Sequence, residues 1–147
     1  MKYPLFGTDG IRCTVGQSPL TIHELPLLAY AIAQWIIETY GKNVHVLLAN
    51  DSRLSSSFIK ASLETGLLLH PLCIYDAGIL PTPAVCQLVK HDNHFQAGIM
   101  ITASHNPYQD NGIKLINHLG EKISNNEELI IEEYTKNVKE IKYTNHS

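Results

Sequence analysis

Between positions 101 and 114 the sequence reads ITASHNPYQDNGIK. Within eleven of those positions stand a hydroxyl at Ser104, an imidazole at His105 and an ammonium at Lys114. A serine oxygen is a weak nucleophile until a neighbour takes its proton or steadies the developing charge. His105 could carry the proton, and Lys114 could steady phosphate oxygens. A plainer reading stands beside this one. Serine is a favoured turn residue, and Ser104 could simply cap a turn ahead of Asn106 and Pro107. His105 is one of eight histidines. Two arginines raise the same choice. Arg12 in FGTDGIR and Arg53 in NDSRLSSS sit in polar, glycine- or serine-rich settings. Each has a carboxylate close by, Asp9 or Asp51, for a surface ion pair. Each also carries the planar fork that suits phosphate geometry.

The segments between these groups must position them. In TIHELPLLAYAIAQWIIETYG, Leu25, Leu28, Ala29, Ile32 and Ile36 recur at helical spacing. Thr21 and Glu24 form a capping-box pattern and Gly41 supplies a stop. Pro26 means either a start later than Thr21 or a missing early hydrogen bond. NVHVLLAND reads as a buried strand ending at Asn50. SSSFIKASLETGLLLHP reads as a helix, capped by serines and stopped by Pro71. LCIYDAG is a strand, TPAVCQLVKHD a short helix with proline near its start, and QAGIMIT a strand. GIKLIN is a further strand and NNEELIIEEYTKNVKE an acidic amphipathic helix, with EEYTKNVKE a solvated face.

Strands alternating with helices predict a three-layer α/β/α sandwich on a mixed, mostly parallel sheet. GIKLIN follows QAGIMIT too closely for a helical crossover, so the last strand is expected to run antiparallel. Asp110, Asn111 and Gly112 offer turn chemistry for that reversal. Ligands of open α/β sheets gather beyond the carboxyl ends of parallel strands. NDSRLSSS, DAGILPTP and TASHNPYQDNG all follow such ends and should converge at one edge.

Composition narrows the function classes. Hydrophobic residues make up 44% of 147, enough for one domain with a core. Eleven basic against fourteen acidic residues leave a net charge of -3, with no electrostatic footprint for nucleic acid. LPLLAYAIAQWII is too short and interrupted for a membrane span. MKYPLFGTDG has no long apolar signal region, and Cys13, Cys73 and Cys86 form no C-x-x-C pair. The expected compartment is the cytoplasm. Cys73 and Cys86 read as small core residues, and Trp35 as a packing residue.

Taken together, FGTDGIR and TASHNP resemble the N-terminal signature and the active-site serine loop of the α-D-phosphohexomutase superfamily. NPYQDNGIK and LPTPAV are most similar to the bacterial phosphoglucosamine mutase branch. The likeness covers residues 1–140 as domain I, the active-site serine domain. Residues 141–147 are left as a polar tail or the start of a linker to a second domain.

The resemblance implies a phosphoserine at Ser104 that exchanges phosphate with a hexosamine phosphate through a bisphosphate intermediate. Glucosamine 6-phosphate and glucosamine 1-phosphate would interconvert, toward cell-wall precursors. It further implies Arg12 and Lys114 at the transferring group, His105 as an acid/base helper, and Arg53 either touching phosphate or supporting the loop. Mg²⁺ would bind Ser104 through its phosphate. No D-x-D-x-D segment is present to complete a magnesium site. The expectation is therefore a domain that works with the remaining domains of a longer enzyme and has no turnover alone. Two alternatives remain: the same domain of a glucose or mannose phosphate mutase, or a non-catalytic phosphosugar- or partner-binding module on this fold. Cys13 departs from the glycine usual after GIR, which puts the local backbone in question.

Overall fold

The computed structural model describes residues 1–138. The elements run β1 (Ile11–Thr14), α1 (Leu25–Tyr40), β2 (Val44–Asn50), α2 (Ser56–Leu67), β3 (Leu72–Ile79), α3 (Thr82–His91), β4 (Ala97–Ile101), β5 (Asp110–Ile116) and α4 (Asn125–Asn137). One five-stranded sheet has the order β1-β5-β4-β2-β3. β2 pairs parallel with both β3 and β4. β5 pairs antiparallel with β4 and with β1. The antiparallel return of β5 follows the expectation, and β1 extends the sheet beyond it.

Two cores explain the layers. Val46, Leu48, Ile99, Ile101, Ile113 and Leu115 pack on α1, α2 and α4. The intervening residues Leu47, Ala49, Met100 and Ile116 pack on Val85 and Val89 of α3. Alternation along each strand sends neighbours to opposite faces, so β2 and β4 must be apolar on both. The residues at 25, 28, 29, 32 and 36 are all fully buried on α1. Trp35 is buried among them.

Local details correct several expectations. Helix α1 starts at Leu25 with Pro26 in its first turn, where a missing amide costs nothing. Thr21 and Glu24 still bond reciprocally, but in the turn before the helix. The serines before α2 make no side-chain cap. Ser56 Oγ donates to Asp51, and Asn111 donates to both Ser55 and Ser56. Asp110–Gly112 lie inside β5, not in the reversal. Asn111 is buried and bonds back to the Gly112 amide, so its polarity serves the interior. Cys73 is exposed and is not a core residue, whereas Cys86 is half-buried and packs against the second core. On α4, Glu132 and Thr135 are buried, while Glu133 and Lys136 face solvent as an ion pair. Lys139 and Glu140, the end of that segment, and the tail 141–147 lie outside the described residues. Among the described residues no helix is long and apolar enough to cross a membrane.

Candidate active site

β4 delivers the serine loop. Thr102 and Ala103 stay buried, and the chain emerges at Ser104. The Thr102 amide still donates to Gly112 O at 3.0 Å, so the ladder holds to the last residue before the turn. Ser104 has φ 51°, the left-handed region that a side chain disfavours. Its amide donates to Thr102 Oγ1 at 3.0 Å, and Thr102 Oγ1 donates to Asp51 Oδ2 at 2.7 Å. That relay pins the strained residue from beneath and leaves its hydroxyl exposed.

Arg53 clamps the same loop from the β2 side. Nε donates to Asp51 Oδ2 at 3.2 Å. Nη1 donates to the carbonyls of Pro107 and Asp110, at 2.7 and 3.1 Å. Nη2 donates to the carbonyls of Ser104 and Asn106, both at 2.9 Å. A guanidinium has five N–H donors, and all are engaged. Of the two roles the sequence leaves open for Arg53, this geometry builds loop support and leaves no donor for a phosphate. Asp51 is the anchor beneath: it also accepts from the Arg53 amide and Ser56 Oγ.

Arg12 is free to do what Arg53 is not. It lies on β1 opposite Gly112. Its Nη2 donates to Ser104 Oγ at 3.0 Å, and Nη1 stands 3.6 Å from Asp9 Oδ2. Its Nε is buried without a partner. Room for the stem comes from Gly112. A Cβ there would lie 2.2 Å from Ile11 O, 2.7 Å from Thr102 O and 3.0 Å from Arg12 Cγ. Both arginines thus keep their ion pairs, and Arg12 touches the serine as well.

Asp110 closes the loop. It accepts from Asn106 Nδ2 at 3.0 Å and from Thr14 Oγ1 at 2.9 Å. These two bonds, with the charge of Arg53, hold its carboxyl below the usual aspartate range against the opposing effect of burial.

Lys114 sits on β5, two residues past Gly112, and so shares the sheet face of Arg12. It is half-buried, with no hydrogen bond to the Ser104 loop. Its charge instead reaches Cys86, where it partly offsets the rise that burial gives the thiol. His105 is exposed and makes no hydrogen bond among the described residues. The structure therefore joins Ser104, Arg12 and Arg53 directly, leaves His105 exposed beside Ser104, and sets Lys114 on β5 opposite Met100 with no hydrogen bond to the loop.

DAGILPTP reaches the same sheet edge, with Ile79 in register beside Asn50 and the Leu80 amide donating to Asn50 O, but it makes no hydrogen bond to Ser104, Arg12 or Arg53 among the described residues. FGTDGIR does join, because β1 pairs with β5. Pro4, Phe6, Gly7, Thr8, Asp9 and Arg12 border a cavity of about 370 Å³. Cys13 sits in regular β1 register opposite Asn111 and packs on the core, so the strand absorbs its side chain. Sequence reasoning passed over Thr102, Asn106 and Thr14; the signal for Thr102 was a hydroxyl two residues before the serine.

Among the described residues no group of three or more His, Cys, Asp or Glu could hold a metal ion. Around Ser104, Asp9, Asp51 and Asp110 are each committed to a protein donor. A hard cation such as Mg²⁺ takes several oxygens in near-octahedral array, and these residues do not supply them.

Comparison with known proteins now bears on this site. Residues 4–142 match the family model described as phosphoglucomutase/phosphomannomutase, alpha/beta/alpha domain I. The chain is 43% identical over 127 residues to a phosphoglucosamine mutase of Thermus thermophilus, covering 86% of this chain and 29% of that one. It is 40% identical over 138 residues to a phosphoglucosamine mutase of Ralstonia pickettii, covering 90% and 30%. Among solved structures, a putative phosphomannomutase from Thermus thermophilus superposes with a TM-score of 0.79 at 30% identity, covering 92% and 30%. The chain thus spans less than a third of the length of the curated relatives it matches. On the match over nearly its whole length, the chain belongs to the phosphoglucomutase/phosphomannomutase family, of which it carries the α/β/α domain I.

Proposed function

We propose that this domain carries the transferable phosphate of a phosphoglucosamine mutase on Ser104. The observation that supports the reading is the Arg12 guanidinium bonded to an outward-facing Ser104 hydroxyl at 3.0 Å, on a loop whose backbone is fixed. Phosphoryl transfer asks mainly for positioning and charge neutralisation. A phosphoserine brings about -1.5 to -2 charge at neutral pH. Arg12 sits where that charge would appear, and Lys114 lies on the same sheet face.

In this reading the Ser104 oxygen gives its phosphoryl group to the sugar hydroxyl of glucosamine 6-phosphate. The resulting bisphosphate reorients and returns its other phosphate to the same oxygen. His105, exposed beside Ser104, passes the proton leaving the sugar hydroxyl to the Ser104 oxygen as its bond to phosphorus breaks, and reverses this on the return transfer. Arg53, Asp51 and Thr102 hold the loop still and take no part in bond making. Bound magnesium would add charge neutralisation on the phosphoserine, with its carboxylates drawn from outside this domain.

The sugar assignment follows the names of the curated relatives at 39–43% identity. Kinetics of a full-length enzyme on glucosamine, glucose and mannose phosphates test it. We further propose that the 147-residue chain has no turnover alone, since among the described residues no group of three or more His, Cys, Asp or Glu could hold a metal ion. Peptide mapping of protein isolated from cells tests the carrier itself. Phosphate on Ser104 is expected; phosphate on another residue, with none on Ser104, overturns it.

A further inference from the structure

The N-terminal segment reaches the site without a strand to carry it. Leu5 and Phe6 precede β1, and neither amide bonds to a backbone carbonyl among the described residues. Both donate instead to one oxygen of Glu132, at 2.7 and 3.2 Å. Glu132 is 6% exposed, on the inward face of α4 with Glu128, Ile131 and Thr135. Backbone donors in the interior need a partner, and a carboxylate is a strong acceptor.

From Phe6 the chain makes a tight turn, closed by the Gly7 amide on Gly10 O at 2.8 Å. Gly10 is pressed against β5: a Cβ would lie 2.5 Å from Ile113 O. Ile11 then enters register opposite Ile113, and Arg12 follows. The loop that carries Asp9 is therefore held at one end by Glu132 and at the other by the sheet. Strand pairing fixes the Arg12 main chain, but beyond its bond to Ser104 Oγ the side chain has only a loose ion pair to Asp9 and an Nε without a partner.

We propose that Glu132 is a positioning residue for the phosphate chemistry at Ser104. Through the Leu5 and Phe6 amides it sets the loop bearing Asp9, and thereby keeps the Arg12 guanidinium on the serine. The role rests on the reading of Ser104 as phosphate carrier, whereas the tie itself can be measured without turnover.

The test compares the 147-residue chain with Glu132→Ala and Glu132→Gln. It follows amide hydrogen exchange and the side-chain ¹⁵N resonances of Arg12. In Glu132→Ala the Leu5 and Phe6 amides should exchange at least about tenfold faster. The Arg12 resonances should move toward free arginine, while amides in β2 and β4 stay protected. Glu132→Gln should restore both signals, because its amide oxygen accepts the same pair. If Glu132→Ala does not fold, Glu132→Asp, whose carboxylate is drawn back by one methylene, takes its place.

Unchanged Arg12 resonances beside faster Leu5 and Phe6 exchange would reduce Glu132 to a structural tie and overturn the proposal. Peptide mapping separates the two claims. Ser104 without phosphate, together with an intact Arg12 response, removes the carrier reading and with it the catalytic meaning of the tie.

Discussion

Arg53 and Ser104, 51 positions apart, are joined through the backbone of the serine and not through its side chain. Arg53 Nη2 donates to Ser104 O at 2.9 Å, while the hydroxyl is left for Arg12 Nη2 at 3.0 Å. Two like-charged groups thus divide one residue between them, one holding its main chain and one facing its hydroxyl.

Replacing Arg53 should cost stability first. Arg53→Ala leaves four loop carbonyls without their donor. Hydrogen bonds to charged groups contribute about 1.5–3 kcal/mol each when well made, but water can replace part of this set. We expect a loss of about 2–3 kcal/mol, seen as a Tm lower by roughly 6–10 °C. Arg53→Lys should recover little, since an ammonium has only three donors. Full recovery by lysine would show that charge alone is needed.

Replacing Arg12 should cost chemistry first. In a full-length mutase carrying this domain, Arg12→Ala should lower kcat/KM by about 10²-fold or more. Stability should change by less than about 1 kcal/mol, because its contacts lie at a half-open surface. Thermal melts beside steady-state kinetics check both. An unaltered kcat/KM would remove Arg12 from the site.

Gly112→Ala should be severe and Gly16→Ala mild. The first drives a methyl into two backbone carbonyls that cannot move without parting the sheet. About 3 kcal/mol or more is expected. Gly16 has φ 91° and nothing within 4 Å, so only left-handed strain of about 1–2 kcal/mol applies. Equal losses in denaturant melts would contradict the close approach at 112.

Acid should loosen the serine loop through Asp110. Its folded pKa is depressed, first by Asn106 and then by Thr14. An unfolded aspartate titrates near ~3.9, so this contribution is complete above that pH and disappears as pH falls through the lower folded value. Asn106→Ala should therefore lower Tm at near-neutral pH, and the drop should shrink as acid carries the pH below the depressed folded value. An equal drop throughout would show that the amide acts without the carboxylate charge.

Much of the scaffold was legible because burial leaves a periodic trace. The α1 face at 25, 28, 29, 32 and 36 and the doubly apolar β2 and β4 needed no tertiary information. The β4–β5 return followed from connection length. β1 was missed because four residues, IRCT, are too few to establish alternation, and their neighbours carry a site motif. Asp110–Gly112 were assigned to a turn by residue type, yet Asn111 is polar for the sake of Ser55 and Ser56, distant in sequence.

The site itself was legible in membership more than in division of labour. Ser104, Arg12 and Arg53 were all singled out, but nothing local told the two arginines apart. That difference lies in the five acceptors around Arg53, four of them loop carbonyls, which no side-chain motif records. Glu132 looked solvated because acidic neighbours surround it. Its helical neighbours at 128 and 135 are polar as well, so no apolar periodicity marked the inward face.

The pairing of Arg12 with Gly112 leaves this strand no tolerance for a change of length. One codon inserted or deleted between Gly10 and Arg12 would rotate the guanidinium into the oily interior and turn Ile11 or Cys13 toward Ser104 instead. Libraries that vary this segment should therefore yield active members by substitution alone, and never by indels of a single residue.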